Sequence, residues 1–89
     1  MKIFDLPCFD TRASFYGKAK VIEQDNGEKV LQSYNTHIAK ITTGGEVVRL
    51  WSGNSQTSSR HFNSFLKFYD LPPVRFASLP VTQQGRERQ

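Results

Sequence analysis

The chain is poor in the residues that build metal centres, disulfides and acid–base pairs. It has one cysteine and two histidines in 89 residues. Cys8 alone cannot close an intramolecular disulfide, and no second Cys or tight His cluster supplies the spacing of a metal site. That usage suits a reducing cytoplasm. No apolar run approaches the ~20 residues of a membrane span. Residues 1–10 are acidic and broken by Pro7, where a secretory signal would be basic and then apolar. The expectation is a soluble, unexported, cytoplasmic protein with no membrane partner. No recognisable catalytic motif is present, so neither enzymatic activity nor a cofactor is expected.

Rings and positive charge are what the chain has in quantity. Seven Phe, three Tyr and one Trp fall within an apolar fraction of 37%, so bulky rings must supply much of the burial in a chain that hides only ~60% of its unfolded surface. Twelve Lys and Arg against eight Asp and Glu leave a net charge of +4. Cations that neutralise phosphates release counterions, so the excess favours a polyanionic partner; it also serves solubility. Part of it lies late in the chain, where Arg75, Arg86 and Arg88 face only Glu87.

The pattern predicts an α+β domain: a three- to four-stranded antiparallel meander packed by one C-terminal amphipathic helix. Residues 1–14 show no period and read as an irregular arm. Residues 15–71 form the domain, and residues 72–89, which open on Pro72-Pro73, read as a flexible tail. Asn26-Gly27 predicts a tight type I′ hairpin turn. Tyr34-Asn35 suits a bend or bulge with Asn35 as the tolerant residue, and Gly44-Gly45 a second turn. On the strand at residues 36–42, alternation puts His37, Ala39 and Ile41 on one face and Ile38 and Lys40 on the other. Ser55, Thr57, Ser58 and Ser59 are candidate caps for a helix whose stripe is Phe62, Phe65, Leu66 and Tyr69 and whose stop lies near Asp70.

Two polar clusters stand apart from this scaffold. One is Ser33-Tyr34-Asn35-Thr36-His37 at a strand junction; the other runs from Trp51 through Asn54 to Arg60 and His61 at the helix entrance. A helix N-terminus offers free N–H groups and partial positive charge to an anion, while the same residue types also serve as turns and caps. Lys20, Lys40 and Arg49 sit on predicted strands, where a basic sheet face with Tyr34 and Trp51 among the charges could follow a phosphate backbone. A solvated sheet face has the same pattern. His37 and His61 are the side chains able to do acid–base work near neutral pH, but no carboxylate lies in either cluster.

Three ordered blocks carry a resemblance. They are Phe15-Tyr16-Gly17-Lys18-Ala19, Ser33-Tyr34-Asn35-Thr36-His37-Ile38-Ala39-Lys40-Ile41, and Ser55-Gln56-Thr57-Ser58-Ser59-Arg60-His61-Phe62-Asn63-Ser64-Phe65-Leu66. Through them residues 9–67 resemble short uncharacterised proteins of phages and mobile elements of Gram-positive bacteria. The resemblance brings no activity with it. It implies a setting in which small proteins regulate or inhibit host nucleic-acid machinery. The order of strands and helix is also similar to the sheet-based arm-binding domains of some integrases, an analogy of fold alone.

The resulting expectation is a non-enzymatic accessory binding protein that engages nucleic acid or a host nucleic-acid-processing protein. Its surface would comprise Lys20, Tyr34, Asn35, His37, Lys40, Arg49, Trp51, Asn54, Arg60 and His61. Alternatives are an inhibitor of a host defence enzyme, of the anti-CRISPR kind, and a small hydrolase or nuclease using His37 and His61. An exposed sheet edge could pair two copies.

Overall fold

Backbone hydrogen bonding joins the extended segments into one antiparallel sheet with its strands in chain order. The structure is a computed structural model that describes residues 1–7, 15, 17–53 and 55–81. The strands are β1 (Lys2–Asp5), β2 (Ala19–Glu23), β3 (Lys29–Ser33), β4 (Thr36–Ile41) and β5 (Val47–Arg49), in the order β1-β2-β3-β4-β5. The sheet therefore has five strands, one or two more than expected. The addition is β1, whose residues had read as part of an irregular arm. Four residues are too few to display a period, and only pairing with β2 reveals that Phe4 turns inward opposite Val21 while Ile3 faces out opposite Ile22. Residues 8–14 of the expected arm and 82–89 of the expected tail lie outside the described residues.

Both long hairpins use the same loop, and it is not the predicted type I′ turn. In the first, the Gly27 N–H donates to the Gln24 carbonyl at 3.0 Å and the Gln24 N–H to the Glu28 carbonyl at 2.8 Å. Gly27 alone takes positive φ, at 94°. Asn26 keeps an ordinary φ and uses its Oδ1 to accept the Glu28 N–H at 2.9 Å. Thr42, Gly45 and Glu46 repeat the pattern, with Gly45 at φ 89°. This is the three-residue hairpin in which a left-handed Gly closes the loop.

At the opposite end Tyr34 and Asn35 link the paired residues Ser33 and Thr36. Here the left-handed residue is Tyr34, at φ 57°, and not Asn35. One residue further on, the β3–β4 register slips between the pairs Leu31–Ala39 and Gln32–His37, leaving Ile38 as an extra residue. The bulge resets the alternation expected for β4. Ile38 turns into the core, whereas His37 joins Lys40 on the open face.

One face of the sheet is covered by α1 (Gln56–Phe68). Phe62, Phe65 and Leu66 are buried against Val21, Leu31, Ala39 and Ile41. Each such side chain contributes ~1.5–3 kcal/mol by leaving water. Ser55 caps the helix, its Oγ accepting the Ser58 N–H at 3.0 Å. At the other end the Leu71 N–H donates to the Leu66 carbonyl and the Asp70 N–H to that of Lys67, with Asp70 at φ 58°. These two bonds make a Schellman stop in which an aspartate occupies the place usually given to Gly.

From Asp70 the chain returns along the helix toward its start. The Phe76 ring, 2% exposed, lies 5.1 Å from that of Phe62 and opens a short 3-10 turn (Phe76–Ser78). Val81 then bridges to Arg49 in parallel beside β5. The packed unit therefore extends past residue 71, into the stretch expected to be a flexible tail. A ring six positions beyond Asp70 offers no period to read. No described helix is long and apolar enough to cross a membrane.

Candidate functional site

The sheet register divides the molecule into two chemically different ends. The hairpin loops at one end carry Asp25, Glu28 and Glu46, and the N-terminal ammonium pairs with Asp25 there. The helix C-terminus reaches the same end, where the Tyr69 hydroxyl donates to Glu23 at 2.7 Å. Burial, and after it this partner, pushes the Tyr69 pKa upward. Beyond the row Ala19–Ser33–Thr36 at the other end, no Asp or Glu occurs among the described residues. That end holds Lys18, the Tyr34–Asn35 turn, Trp51 and the first turn of α1, which also lacks an acidic residue.

Rings and cations alternate at this second end. The Lys18 ammonium lies 5.7 Å from the centre of the Tyr34 ring. Tyr34 lies 5.9 Å from the His61 ring, which meets Phe15 edge-on at 4.6 Å. The Arg60 guanidinium covers Phe15 at 5.0 Å. Two cations thus bracket three rings, all within the separations at which the ring quadrupoles attract charge. Tyr34 is 53% exposed, an unusual situation for a bulky residue held at positive φ, which costs ~1–3 kcal/mol.

His61 supports this arrangement from below. Its Nδ1 lies 2.8 Å from the Ser33 Oγ, and both residues are buried. Burial, with the neighbouring Arg60 charge second, lowers its pKa to about 4. His61 is therefore neutral at pH 7. His37 stands on the open face in the row of Lys20 and Gln32, so the sheet separates the two histidines.

The strand cations meet different fates. Lys20 forms an ion pair with Asp5 at 2.6 Å, and Lys40 with Glu28 at 3.3 Å. Arg49 does not share a face with Lys40, because the register sets Ala39 opposite Arg49 and Lys40 opposite Val48. It is 7% exposed. Its Nε donates to the Trp51 carbonyl at 2.9 Å and its Nη atoms to those of Leu79, Ser52 and Gly53 at 2.9, 3.2 and 3.0 Å. The guanidinium also lies 4.4 Å from the Phe76 ring centre. Arg49, expected on a phosphate-binding surface, is instead the fastening that holds the loop after β5 to the returning segment. An internal cation with this many carbonyl partners is fully employed.

Of the residues singled out in the sequence, the fold brings Tyr34, Arg60 and His61 together, with Asn35 in the same turn and Trp51 half-buried at the same end. Lys20, His37 and Lys40 fall on the open face. Asn54 lies outside the described residues. Three further cations add to the positive charge: Lys18 at this end, Arg75 on the returning segment, and Lys67 in the last turn of α1, toward the hairpin-loop end. Lys18, Lys67 and Arg75 pair with no carboxylate among the described residues. Lys67 stands seven residues after Arg60 on the same helix, a spacing visible in the sequence. Arg75 was hidden because it follows two prolines. Among the described residues no cluster of three His, Cys, Asp or Glu could hold a metal ion.

Residues 4–76 match a family of unknown function, DUF8033. This chain belongs to the DUF8033 family. The matched span begins within β1 and ends at Phe76, so the DUF8033 unit contains the sheet, the helix and the returning segment that Phe76 anchors. No curated protein and no solved structure matches the chain.

Proposed function

We propose that this DUF8033 protein is a non-enzymatic accessory module of a phage or mobile element, binding nucleic acid through the end that carries Lys18 and Tyr34. The observation that carries the reading is Tyr34, a large ring kept exposed at positive φ beside the Lys18 ammonium. Strain retained at an exposed ring points to a use for that ring. Bases stack on such a platform irrespective of sequence. Lys18 and Arg60 flank it, and Lys67 and Arg75 extend the positive strip along the helix. The resemblance to phage and mobile-element proteins supports the setting.

Fluorescence anisotropy with labelled single-stranded DNA, duplex DNA and RNA tests the proposal. Engagement of all four cations gives a plot of log K against log salt with a slope near −3, at ~0.7–0.9 per phosphate. Lys18→Glu combined with Arg75→Glu should weaken binding at least tenfold and flatten that slope. Absence of binding by any probe at micromolar protein rejects direct nucleic-acid recognition.

A protein partner is the second reading, favoured by the exposed Met1, Ile3 and Phe68 near the outer strand β1. A stoichiometric protein recovered from host lysate after nuclease treatment, with no oligonucleotide bound, would select it.

A further inference from the structure

The two edges of the sheet are treated differently. Along β5, Val81 returns to bridge Arg49 in parallel. Along the outer side of β1, no described segment pairs. The Leu6 N–H donates to the Ala19 carbonyl at 2.9 Å, so Leu6 and Ala19 form a hydrogen-bonded pair that sets the alternation back along the ladder. Lys2 and Phe4 therefore bond to β2, while the N–H and C=O groups of Ile3 and Asp5 point away from the sheet. Such a row of free groups is a template for another strand. Apolar surface gathers at the same edge: Met1, Ile3 and Phe68 are exposed there, Ile3 at 56%, and the Phe68 ring lies 5.5 Å from that of Phe4.

We infer that β1 pairs with β1 of a second copy of this chain, antiparallel about a two-fold axis, with Ile3 opposite the partner's Ile3. The pairing does not depend on nucleic-acid binding. A two-fold axis normal to the sheet passes between identical residues, so a strand running from Lys2 to Asp5 has four possible centres. Centring on Lys2 or on Asp5 sets like charges face to face, which is destabilising. Centring on Phe4 sets Ile3 against the partner's Asp5 carboxylate. Centring on Ile3 sets apolar against apolar and places each Lys2 opposite the partner's Phe4 ring.

That alignment also suits the backbone and the charges. The outward groups of Ile3 are reciprocated by those of the partner's Ile3, and the Asp5 N–H reaches the partner's Met1 carbonyl. Lys2 already lies 5.7 Å from the centre of its own Phe4 ring, so a cation over a ring recurs across the axis. The Asp5 carboxylate is held by Lys20 at 2.6 Å and brings no unpaired charge to the seam. Antiparallel pairing turns the hairpin loops that carry Asp25 and Glu28 toward the partner's Lys18-bearing end, charge toward opposite charge. A foreign extended strand would meet the free backbone groups equally well, but this edge is complementary to its own sequence. A seam of four residues a side is short against the ~1,200–2,000 Å2 of a stable interface, so pairing belongs to the range of about 10–500 μM.

Sedimentation equilibrium of the full chain from about 5 to about 500 μM tests the inference. The weight-average mass should rise from 10.2 kDa toward twice that value. Ile3→Lys sets two ammonium groups across the axis and should weaken association at least about tenfold. Its thermal unfolding in dilute solution should match that of the parent chain, because the Ile3 side chain is 56% exposed. Tyr34→Ala should leave association unchanged. The alignment is read by cross-linking in a Cys8→Ser background. Ile3→Cys brings two Cα atoms to ~5.5 Å, within reach of a disulfide, and should oxidise to a covalent dimer. Asp5→Cys, whose partner lies four positions out of register, should not.

A mass that stays at 10.2 kDa throughout the range overturns the inference. A dimer that survives Ile3→Lys overturns it as well, since association then uses another surface. Cross-linking through Asp5→Cys in preference to Ile3→Cys rejects the Ile3-centred pairing. A parent chain that remains monomeric, yet retains a lysate protein that Ile3→Lys loses, gives the edge to a foreign strand and rejects self-pairing.

Discussion

The His61 Nδ1 lies 2.8 Å from the Ser33 hydroxyl, joining the helix to the strand that leads into the Tyr34 turn. The bond joins residues 28 positions apart and is a polar link between α1 and the central strand β3. It ties the geometry of the Tyr34 end to the protonation state of one buried ring.

That tie makes stability depend on pH in a definable window. The folded-state pKa of His61 is lowered to about 4 from 6.5, so the unfolded chain binds a proton that the native ring does not. The His61 contribution is complete above pH ~6.5 and is lost as pH falls toward 4, at ~1.4 kcal/mol per pH unit, and the loss stops growing below that value. Urea unfolding between pH 8 and 4 should show this slope in the parent chain minus the slope in His61→Leu. The variant also strands the Ser33 hydroxyl, a cost of ~1–3 kcal/mol that does not vary with pH. An identical pH profile for both chains would refute the assignment.

Arg49 should prove irreplaceable by another cation. Lysine keeps the charge but cannot reach the Trp51, Ser52, Gly53 and Leu79 carbonyls together. Arg49→Lys should cost ~2–4 kcal/mol in chemical denaturation, in keeping with loss of a partnered internal charge. Amide hydrogen exchange should quicken first at Ser78 and Leu79, whose segment the guanidinium holds.

Tyr34 and Asp70, the two non-glycine residues at positive φ among the described residues, should respond differently to the same replacement. Asp70→Gly relieves the left-handed strain and removes a negative charge from the helix C-terminus, raising stability by ~1 kcal/mol and Tm by ~4–8 °C. Oligonucleotide affinity should not move. Tyr34→Gly relieves similar strain, so its stability should stay level or rise, yet affinity should fall about tenfold through the lost stacking. Parallel calorimetry and anisotropy on the two variants separate a turn kept for folding from one kept for binding.

Gly53 is expected to tolerate no side chain. A Cβ there would overlap the ring of Trp51. Gly53→Ala should displace that ring, shift its emission to the red and cost ~1–3 kcal/mol by overpacking. Trp51 is the only tryptophan, so the emission change reports this contact alone.

What could be read from the sequence follows the range of the forces involved. The helix, its cap region and its apolar stripe were legible because 3.6-residue periodicity and hydroxyl caps act within a few residues. The β3 strand was legible for the same reason. The strand β1 was not, since four residues acquire their meaning only when Glu23, Ile22, Val21 and Lys20 lie opposite them. The Ile38 bulge was equally hidden, because one extra residue reverses every later side chain without altering composition. In the site, Tyr34, Arg60 and His61 stood out by type and came together. Lys20, Lys40 and Arg49 stood out for their charge, and the sequence could not show that Asp5, Glu28 and a set of carbonyls already occupy them.

Among the described residues the acids gather at the hairpin loops, where Lys2, Lys29 and Lys40 also stand, while the Tyr34 end holds Lys18 and no described Asp or Glu, so positive charge is in excess toward Tyr34. In the field of a polyanion such a body experiences a torque before it makes contact. It therefore arrives already turned with Tyr34 foremost, which enlarges the fraction of encounters that are productive. The orienting effect extends about one Debye length, ~10 Å at 0.1 M salt. Added salt should consequently slow association more than it hastens release.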